Sequence, residues 1–367
     1  MIHRQYRNLE PLKEHYPTMR KWFLHMKNNY MDKNFIMTKD KYGDWCVPPE
    51  SPELIHTQDP SRITDGKLIA TAYTYKILEF LIKFANISDN KQDIAEYTAL
   101  AENVRKGFNK EFFNPETAQY SNYTVTANLL PLAFGMVEPE YEDRVFKNML
   151  DRIVNREKLH MSTGVIGTQW IMRELTKRGR ADVAYTIATQ VTYPGWGYSI
   201  EKGATTIWEL WNGDTANPKM NSHNHVMALG DVLIWMYEDL AGIKTHKNQS
   251  GFRMLWMKPH PTETLTSAKA THKTPYGWAK SDWKLEGETF TWKVTIPANT
   301  KANILVPAAS IDDITEGGKP VREAEGVKYV RVEENRINLE LGSGTYTFRC
   351  KYGEALNRWK EGVLEQQ

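Results

Sequence analysis

The sequence predicts a mainly helical chain with a β domain, made of a toroid of paired helices over residues 1–243 and a small antiparallel β-sandwich over 244–350. In the first part, apolar residues recur at spacings of three and four, as on one face of an amphipathic helix. From Phe252 onward, apolar and polar residues alternate, with glycine-containing turns at short intervals. Residues 351–367 form a charged tail.

The lengths of the loops in the helical part predict how its helices are arranged. About eight helical stretches are joined alternately by short turns and by longer connections. Helical hairpins whose long loops all emerge on one side form a toroid, with its pocket on that side. The longer loops cover 31–63, 112–124, 156–163 and 192–222.

Individual helices carry further signals. The first amphipathic stretch contains Pro17, which predicts a kink or a first turn there. Asp89 and Gln92 form a candidate capping pair for a later helix. The last helix is expected to bury a stripe of apolar residues at spacings of three and four. The expected stripe consists of Val226, Leu229, Leu233, Met236 and Leu240. Residues 244–251 are predicted to form a linker after this helix.

The overall composition excludes several classes of protein. The net charge of +2, with acidic and basic residues interspersed, predicts neither a nucleic-acid partner nor a membrane surface. Cys46 and Cys350 lie far apart, so neither a disulfide framework nor a metal-binding spacing can be built from them. The first residues lack the apolar core of a signal peptide, which predicts a cytoplasmic protein unless the sequence starts downstream of the true start.

The candidate site is the segment in which Glu209 lies between Trp208 and Trp211, with His225 shortly after it. Aromatic rings cover the apolar C–H faces of a pyranose, and a carboxylate activates water or holds hydroxyls. This combination favours a sugar-processing pocket. A buried aromatic cluster around a hydrogen-bonded glutamate is the alternative.

Five short motifs, in this order, resemble the bacterial α-L-rhamnosidases of glycoside hydrolase family 78. The most specific part is Thr205-Thr206-Ile207-Trp208-Glu209 followed by Asn224-His225. The resemblance extends to about Cys350. The motifs are Tyr42-Gly43-Asp44-Trp45, Thr163–Thr168, Tyr193–Tyr198, Ala204–Glu209 and Asn224-His225.

The resemblance implies an incomplete (α/α)6 catalytic barrel followed by a β-sandwich, and inverting hydrolysis of terminal α-L-rhamnose from glycosides or polysaccharides. In such a mechanism one carboxylate activates water, and Glu209 matches that general base. His225 matches a residue that hydrogen-bonds the sugar. The pocket-wall candidates are Trp45, Trp196, Trp208 and Trp211, and Asp44 either binds hydroxyls or caps its own loop. Neither His223 nor His225 is assigned to a metal, and no cofactor is predicted.

The sequence also departs from the family pattern. The family's general acid lies in an Arg-Asp-Glu-Arg segment, and that segment is absent here. The sequence therefore predicts the C-terminal part of a rhamnosidase, with an upstream segment as the partner that supplies the acid. A non-catalytic sugar-binding fragment and another exo-glycosidase on the same toroid remain as alternatives. A polysaccharide lyase is disfavoured because the residues around Glu209 are neutral or acidic.

Overall fold

The computed structural model describes residues 2–215 and 222–352, and the chain folds into two compact units. The helical unit comprises Glu10–Glu174 and Thr186–Asp231. The β unit comprises the residues up to Leu9, Leu175–Tyr185 and the chain from Val232 onward. The predicted tail beyond Tyr352 lies outside the described residues.

In the described part of the chain, ten α-helices alternate with loops, and a two-stranded hairpin lies between the fourth and the fifth helix. The helices are α1 Ile2–Tyr6, α2 Glu10–Tyr30, α3 Gly66–Ile87, α4 Lys91–Phe112, α5 Val125–Phe134, α6 Glu142–Asp151, α7 Val165–Lys177, α8 Ala181–Ala188, α9 Trp196–Glu201 and α10 Val226–Trp235. The hairpin pairs β1 Phe113–Asn114 with β2 Gln119–Tyr120.

Helix α2 runs without interruption through Pro17, and so this residue does not mark a first turn. Pro17 lies on the exposed face of the helix, where the carbonyl that it leaves without a backbone partner can reach water. The opposite face buries Leu12, Tyr16 and Phe23. The packing of this apolar face outweighs the local cost of the proline.

The start of α4 differs by one residue from the predicted capping pair. Asp89 adopts a left-handed conformation with φ of 51°, and it is Asn90 whose side chain accepts the hydrogen bond from the backbone N–H of Asp93. Asp93 is itself buried and accepts bonds from the Tyr16 hydroxyl at 2.8 Å and from Arg20 Nε at 3.0 Å. The cap thus ties α4 to α2 as well as starting the helix.

The core of α2, α3 and α4 is apolar and closely shared between the three helices. It explains the three- and four-residue spacings in the sequence, because each helix contributes one buried stripe. The buried members are Tyr16, Phe23, Leu78, Leu81, Ala85, Tyr97, Leu100, Ala101 and Val104.

The β unit contains one six-stranded and one five-stranded sheet. Their strand orders are β10-β9-β13-β7-β6-β5 and β11-β12-β8-β4-β3. The strands are β3 Ile243–Thr245, β4 Met254–Met257, β5 Ser267–Thr274, β6 Gly277–Glu286, β7 Thr289–Ile296, β8 Lys301–Val306, β9 Thr315–Glu316, β10 Lys319–Pro320, β11 Val327–Glu333, β12 Arg336–Leu341 and β13 Gly344–Lys351.

The two sheets share one buried core. Trp283 and Trp292 come from the six-stranded sheet, and Leu255 and Met257 come from the five-stranded sheet. Described pairings are antiparallel except for β4 with β8, which run parallel. The start of the expected linker is wrong, because Lys244 and Thr245 belong to β3 and pair with β4.

The end of α10 also corrects the sequence prediction. Leu233 and Met236 are 42% and 43% exposed, whereas Val232 and Trp235 are buried, as is Leu240. Leu233 lies within the regular part of α10, next to the buried Val232, so the buried face differs from the expected one already there. The helix continues as a π-helical turn over Met236–Leu240, which changes the spacing of buried residues from Met236 onward. The side chains of Val226 and Leu229 lie outside the described residues.

No helix within residues 2–215 and 222–352 has both the length and the apolar character that a membrane crossing requires.

Candidate active site

An open cleft of about 620 Å³ lies within the helical unit, beside the segment around Glu209. Its walls are mainly apolar and aromatic, and polar groups are few, which is typical of small-molecule sites. The lining includes Cys46, Trp196, Trp208, Glu209, Trp211 and Asp231.

Glu209 is fixed by two segments of the chain. Its carboxylate accepts a hydrogen bond from the Ser222 backbone N–H at 3.0 Å through Oε2. The other oxygen, Oε1, accepts from Trp45 Nε1 at 3.4 Å. The backbone N–H of Glu209 donates to the Ser222 carbonyl at 2.8 Å, so that main chain and side chain are both held. The carboxylate therefore has a defined direction in the cleft.

Trp45 reaches Glu209 from the long irregular loop between α2 and α3. Its ring packs edge-on against Tyr42 and lies 5.4 Å from the ring of His56. The side chain is 36% exposed, so it has an open face as well as its bond to the glutamate. Trp45 thus lies beside the carboxylate of Glu209, although it is not among the described residues that line the cleft.

Asp44 precedes Trp45 in the chain, and its carboxylate holds the loop in place through hydrogen bonds. The side chain is buried, and Oδ1 accepts from the backbone N–H groups of Ile166 and Gly167 at 2.9 and 3.1 Å. Oδ2 accepts from the Thr126 hydroxyl at 2.5 Å and from the Gly164 N–H at 3.0 Å. Burial raises the pKa of this carboxyl, and the four hydrogen bonds lower it in part.

These bonds dock the loop of Trp45 on the first turn of α7. The approach is so close that a Cβ at Gly164 would lie 2.2 Å from the Trp45 carbonyl oxygen and 2.3 Å from that of Asp44. The acceptor positions of Asp44 are filled by the protein. The geometry thus favours the loop-capping alternative for Asp44 over contact with a sugar.

The remaining tryptophans form the aromatic wall of the cleft. Trp196 and Trp211 meet edge to face with ring centroids 5.4 Å apart, and Trp196 is buried. Trp208 lies over His223 at 5.3 Å, and the Nε2 atom of His223 is 3.2 Å from the Gly213 carbonyl oxygen. All three tryptophans line the cleft.

His225 lies close to the site but is not among the described residues that line the cleft. Its backbone N–H donates to the Ile207 carbonyl at 2.8 Å, which ties the start of α10 to the segment carrying Glu209. Its Nδ1 atom is buried and has no hydrogen-bond partner within the described part of the chain. Buried polar atoms without a hydrogen-bond partner are rare in folded proteins.

Two cleft residues, Cys46 and Asp231, were not predicted from the sequence. Burial raises the pKa of the Cys46 thiol to about 12, with Glu209 and Asp44 adding to the shift. Burial also raises the pKa of Asp231 to about 6, and Arg173 offsets part of that rise. A signal for Asp231 exists in the sequence, because it is the one charged residue in the helix Val226–Trp235. Hydrophobic periodicity does not register it, because that pattern depends on apolar positions only.

A helical-hairpin unit with a glutamate in an aromatic cleft is the architecture of a six-hairpin glycosidase, and comparison with known proteins specifies the family. Residues 1–240 match the family described as bacterial alpha-L-rhamnosidase 6 hairpin glycosidase domain. Residues 242–320 match the bacterial alpha-L-rhamnosidase C-terminal domain. The chain belongs to the bacterial α-L-rhamnosidase family.

Individual relatives agree with this assignment. An alpha-L-rhamnosidase of Formosa agariphila is 34% identical over 346 residues, which are 93% of this chain and 36% of the relative. The solved structure of alpha-L-rhamnosidase from Dictyoglumus thermophilum has a TM-score of 0.84 and 32% identity, over 95% of this chain and 38% of that one. The Streptomyces avermitilis alpha-L-rhamnosidase complexed with L-rhamnose has a TM-score of 0.83 and 28% identity, over 95% and 32%.

These comparisons confirm the predicted family and fold class, a helical six-hairpin domain followed by largely antiparallel sheets. The chain spans about a third of the length of the relatives that it matches.

Proposed function

We propose that this chain carries the general base and the sugar-binding cleft of an α-L-rhamnosidase, which removes terminal α-L-rhamnose from glycosides or polysaccharides with inversion. The observation that carries the proposal is the position of the Glu209 carboxylate, which two donors hold at the edge of a tryptophan-lined cleft. Family membership supports the choice of sugar.

In this proposal Glu209 takes a proton from the water that attacks the anomeric carbon. Each carboxylate oxygen accepts one hydrogen bond from the protein, and each has a second acceptor position available to water. Holding the base in one direction favours the reaction because a misplaced base loses much of its effect.

The aromatic wall supplies binding. Trp196, Trp208 and Trp211 cover the apolar ring face and the methyl group of the sugar, and Trp45 both covers the sugar and orients Glu209. His225 offers its Nδ1 atom to a hydroxyl. Asp44 acts through the loop that it holds, by keeping Trp45 in place.

We assign the general acid to a segment outside this sequence. Inverting hydrolysis uses two carboxyl groups at a separation of roughly 6.5–9.5 Å, one on each side of the scissile bond. This chain covers about a third of the length of its relatives, which leaves room for such a segment in the remainder.

The test is hydrolysis of a chromogenic aryl α-L-rhamnoside by the purified chain. Because an aryl leaving group needs little protonation, turnover requires mainly the base and the pocket. Glu209→Gln is expected to lower kcat by about 100- to 10,000-fold, the usual contribution of a general base. Glu201→Gln, an exposed glutamate at the end of α9, is the matched control and should leave the rate unchanged. Equal rates in Glu209→Gln and the unaltered chain would contradict the assignment of the base.

A non-catalytic sugar-binding role is the second candidate, and the absence of the family's Arg-Asp-Glu-Arg segment from the sequence favours it. L-Rhamnose binding without turnover of the aryl rhamnoside, by a folded sample, would support this role over hydrolysis.

A further inference from the structure

Asp231 lines the cleft that contains Glu209, but no step of the proposed hydrolysis uses it. It lies on α10, where the rest of the helix is apolar apart from Gly230. Its side chain is partly buried, and burial raises the pKa of this carboxyl to about 6. Placing a carboxylate in such surroundings costs free energy, which the protein usually offsets with a partner.

The structure offers Asp231 no such partner. The side chain of Asp231 makes no hydrogen bond or ion pair to any residue within 2–215 and 222–352. Arg173 is the cation that acts on it electrostatically, but its guanidinium donates to the Gln169 carbonyl at 2.7 and 3.2 Å. The same guanidinium lies over the Trp170 ring at 5.0 Å.

Tyr73, whose pKa Asp231 helps to raise, is also engaged elsewhere. Its hydroxyl donates to Gln169 Oε1 at 2.8 Å and accepts from Trp170 Nε1 at 3.0 Å. A hydroxyl has one proton, so this tyrosine has none left for Asp231. Tyr73 is therefore committed to other bonds, and Arg173 makes none to Asp231, so the carboxylate lines the cleft with its acceptor positions unfilled by described residues.

We propose that Asp231 is a further substrate-binding residue of the cleft, whose carboxylate accepts hydrogen bonds from hydroxyls of the bound sugar. This inference rests on the proposed function. A carboxylate has two oxygens and can accept from two adjacent hydroxyls at once, as on neighbouring carbons of a pyranose. The tryptophans cover the C–H faces, and Asp231 takes the polar edge of the ring.

The chemistry selects a neutral, hydroxyl-rich sugar. The described lining residues include two carboxyl groups, Glu209 and Asp231, and neither lysine nor arginine. An anionic sugar would meet like charges without a compensating cation. The cleft is thus specific for an uncharged ring such as L-rhamnose.

The test is L-rhamnose binding, followed by tryptophan fluorescence and by calorimetry at a pH of about 7.5, where the carboxyl is ionised. Asp231→Ala should weaken binding by about 10-fold or more, as expected on losing hydrogen bonds to a charged group. Asp231→Asn keeps one acceptor oxygen and should give an intermediate value. Asp143→Asn, an exposed aspartate on α6, is the control and should bind as the unaltered chain does.

The melting temperature separates a binding role from a structural one. A carboxylate without a protein partner contributes no stability, so Asp231→Asn should melt at or above the temperature of the unaltered chain. Unchanged affinity in Asp231→Ala would overturn the inference and leave the proposed function standing. A lower melting temperature in Asp231→Asn, with unchanged affinity, would assign Asp231 to the fold instead. Failure of the unaltered chain to bind L-rhamnose would overturn the proposed function and this inference together.

Discussion

Glu209 and Asp231 are carboxyls of one cleft in different surroundings. Glu209 is held by an indole N–H and a backbone N–H, whereas Asp231 is partly buried without a bond to a described residue. Titratable groups with such contrasting environments are concentrated at functional sites. At the scale of single residues, the site therefore contains one carboxylate that the protein orients and one whose side chain makes no bond to a described residue.

The raised pKa of Asp231 predicts a specific dependence of stability on pH. The value rises from 3.8 to about 6, so the folded chain binds the proton more tightly than the unfolded chain does. The free energy of unfolding contributed by this group therefore falls as the pH rises from about 4 to about 6, and stays constant above that.

Asp231→Asn removes this titration. Its melting temperature relative to the unaltered chain should increase between a pH of about 4 and about 6 and level off above. Thermal unfolding at closely spaced pH values, followed by circular dichroism, measures the difference. A difference that does not change with pH would contradict the buried position of the carboxyl.

Some site residues could be predicted from the sequence and others could not, for reasons that the structure explains. Glu209 and its flanking tryptophans were predictable because they are contiguous in the chain. The partners of Asp44 were not, because Thr126 and Gly164 lie 82 and 120 residues away. No local pattern indicates a bond across such a separation.

At the scale of elements, the first turn of α7 and the loop of Asp44 form one hydrogen-bonded unit. Three backbone N–H groups and one hydroxyl converge on a single carboxylate. Their combined effect is to cap α7 and to fix the loop that carries Trp45. The position of Trp45, which donates to Glu209, thus depends on a helix cap.

Asp44→Asn should therefore destabilise the chain strongly. The amide keeps the shape but can accept at one atom only, which leaves about two buried donors without partners and costs about 2–4 kcal/mol in total. Urea unfolding measures this change. Asp65→Asn, at the N-cap of α3, is the matched control and should cost close to nothing, because asparagine caps as well as aspartate.

An effect of Asp44→Asn no larger than that of Asp65→Asn would mean that the loop is not anchored by this carboxylate.

The buried faces of the helices show where the spacing of apolar residues predicts burial correctly. Leu12, Tyr16 and Phe23 are buried as their spacing predicts, because α2 is regular. Met236 is exposed where the helix passes into a π-helical turn, and the spacing of apolar residues does not mark that turn. The sequence thus predicts whether each element is a helix or a strand. It does not predict which residues a helix buries beyond an irregular turn.

At the scale of the whole molecule, the compact units do not follow the order of the chain. Leu175–Tyr185 belongs with the residues from Val232 onward. Within that unit, Trp235 Nε1 donates to the Thr176 hydroxyl at 2.8 Å, and Trp283 Nε1 donates to the Leu240 carbonyl at 2.9 Å. The first bond joins α10 to α7, and the second joins strand β6 to the π-helical turn that follows α10.

Removal of the β strands should therefore damage the helical residues as well. A chain that ends at residue 243 would leave the carbonyls of Leu240 and Ala241 without the partners Trp283 and Ser281. We expect this truncated chain to aggregate or to lose its cooperative melting transition, whereas the full chain melts cooperatively. Size-exclusion chromatography and thermal melts measure both properties, and a monomeric truncated chain with a sharp transition would contradict the expectation.

Cys46, at the wall of the cleft, has a consequence for the chemistry of the folded chain. Its thiol, like that of Cys350, is buried and has a pKa raised to about 12. Thiolates, and not thiols, react with alkylating agents and oxidants. At neutral pH both cysteines are thus inert in the native state, and their rate of labelling reports how often each region of the molecule opens.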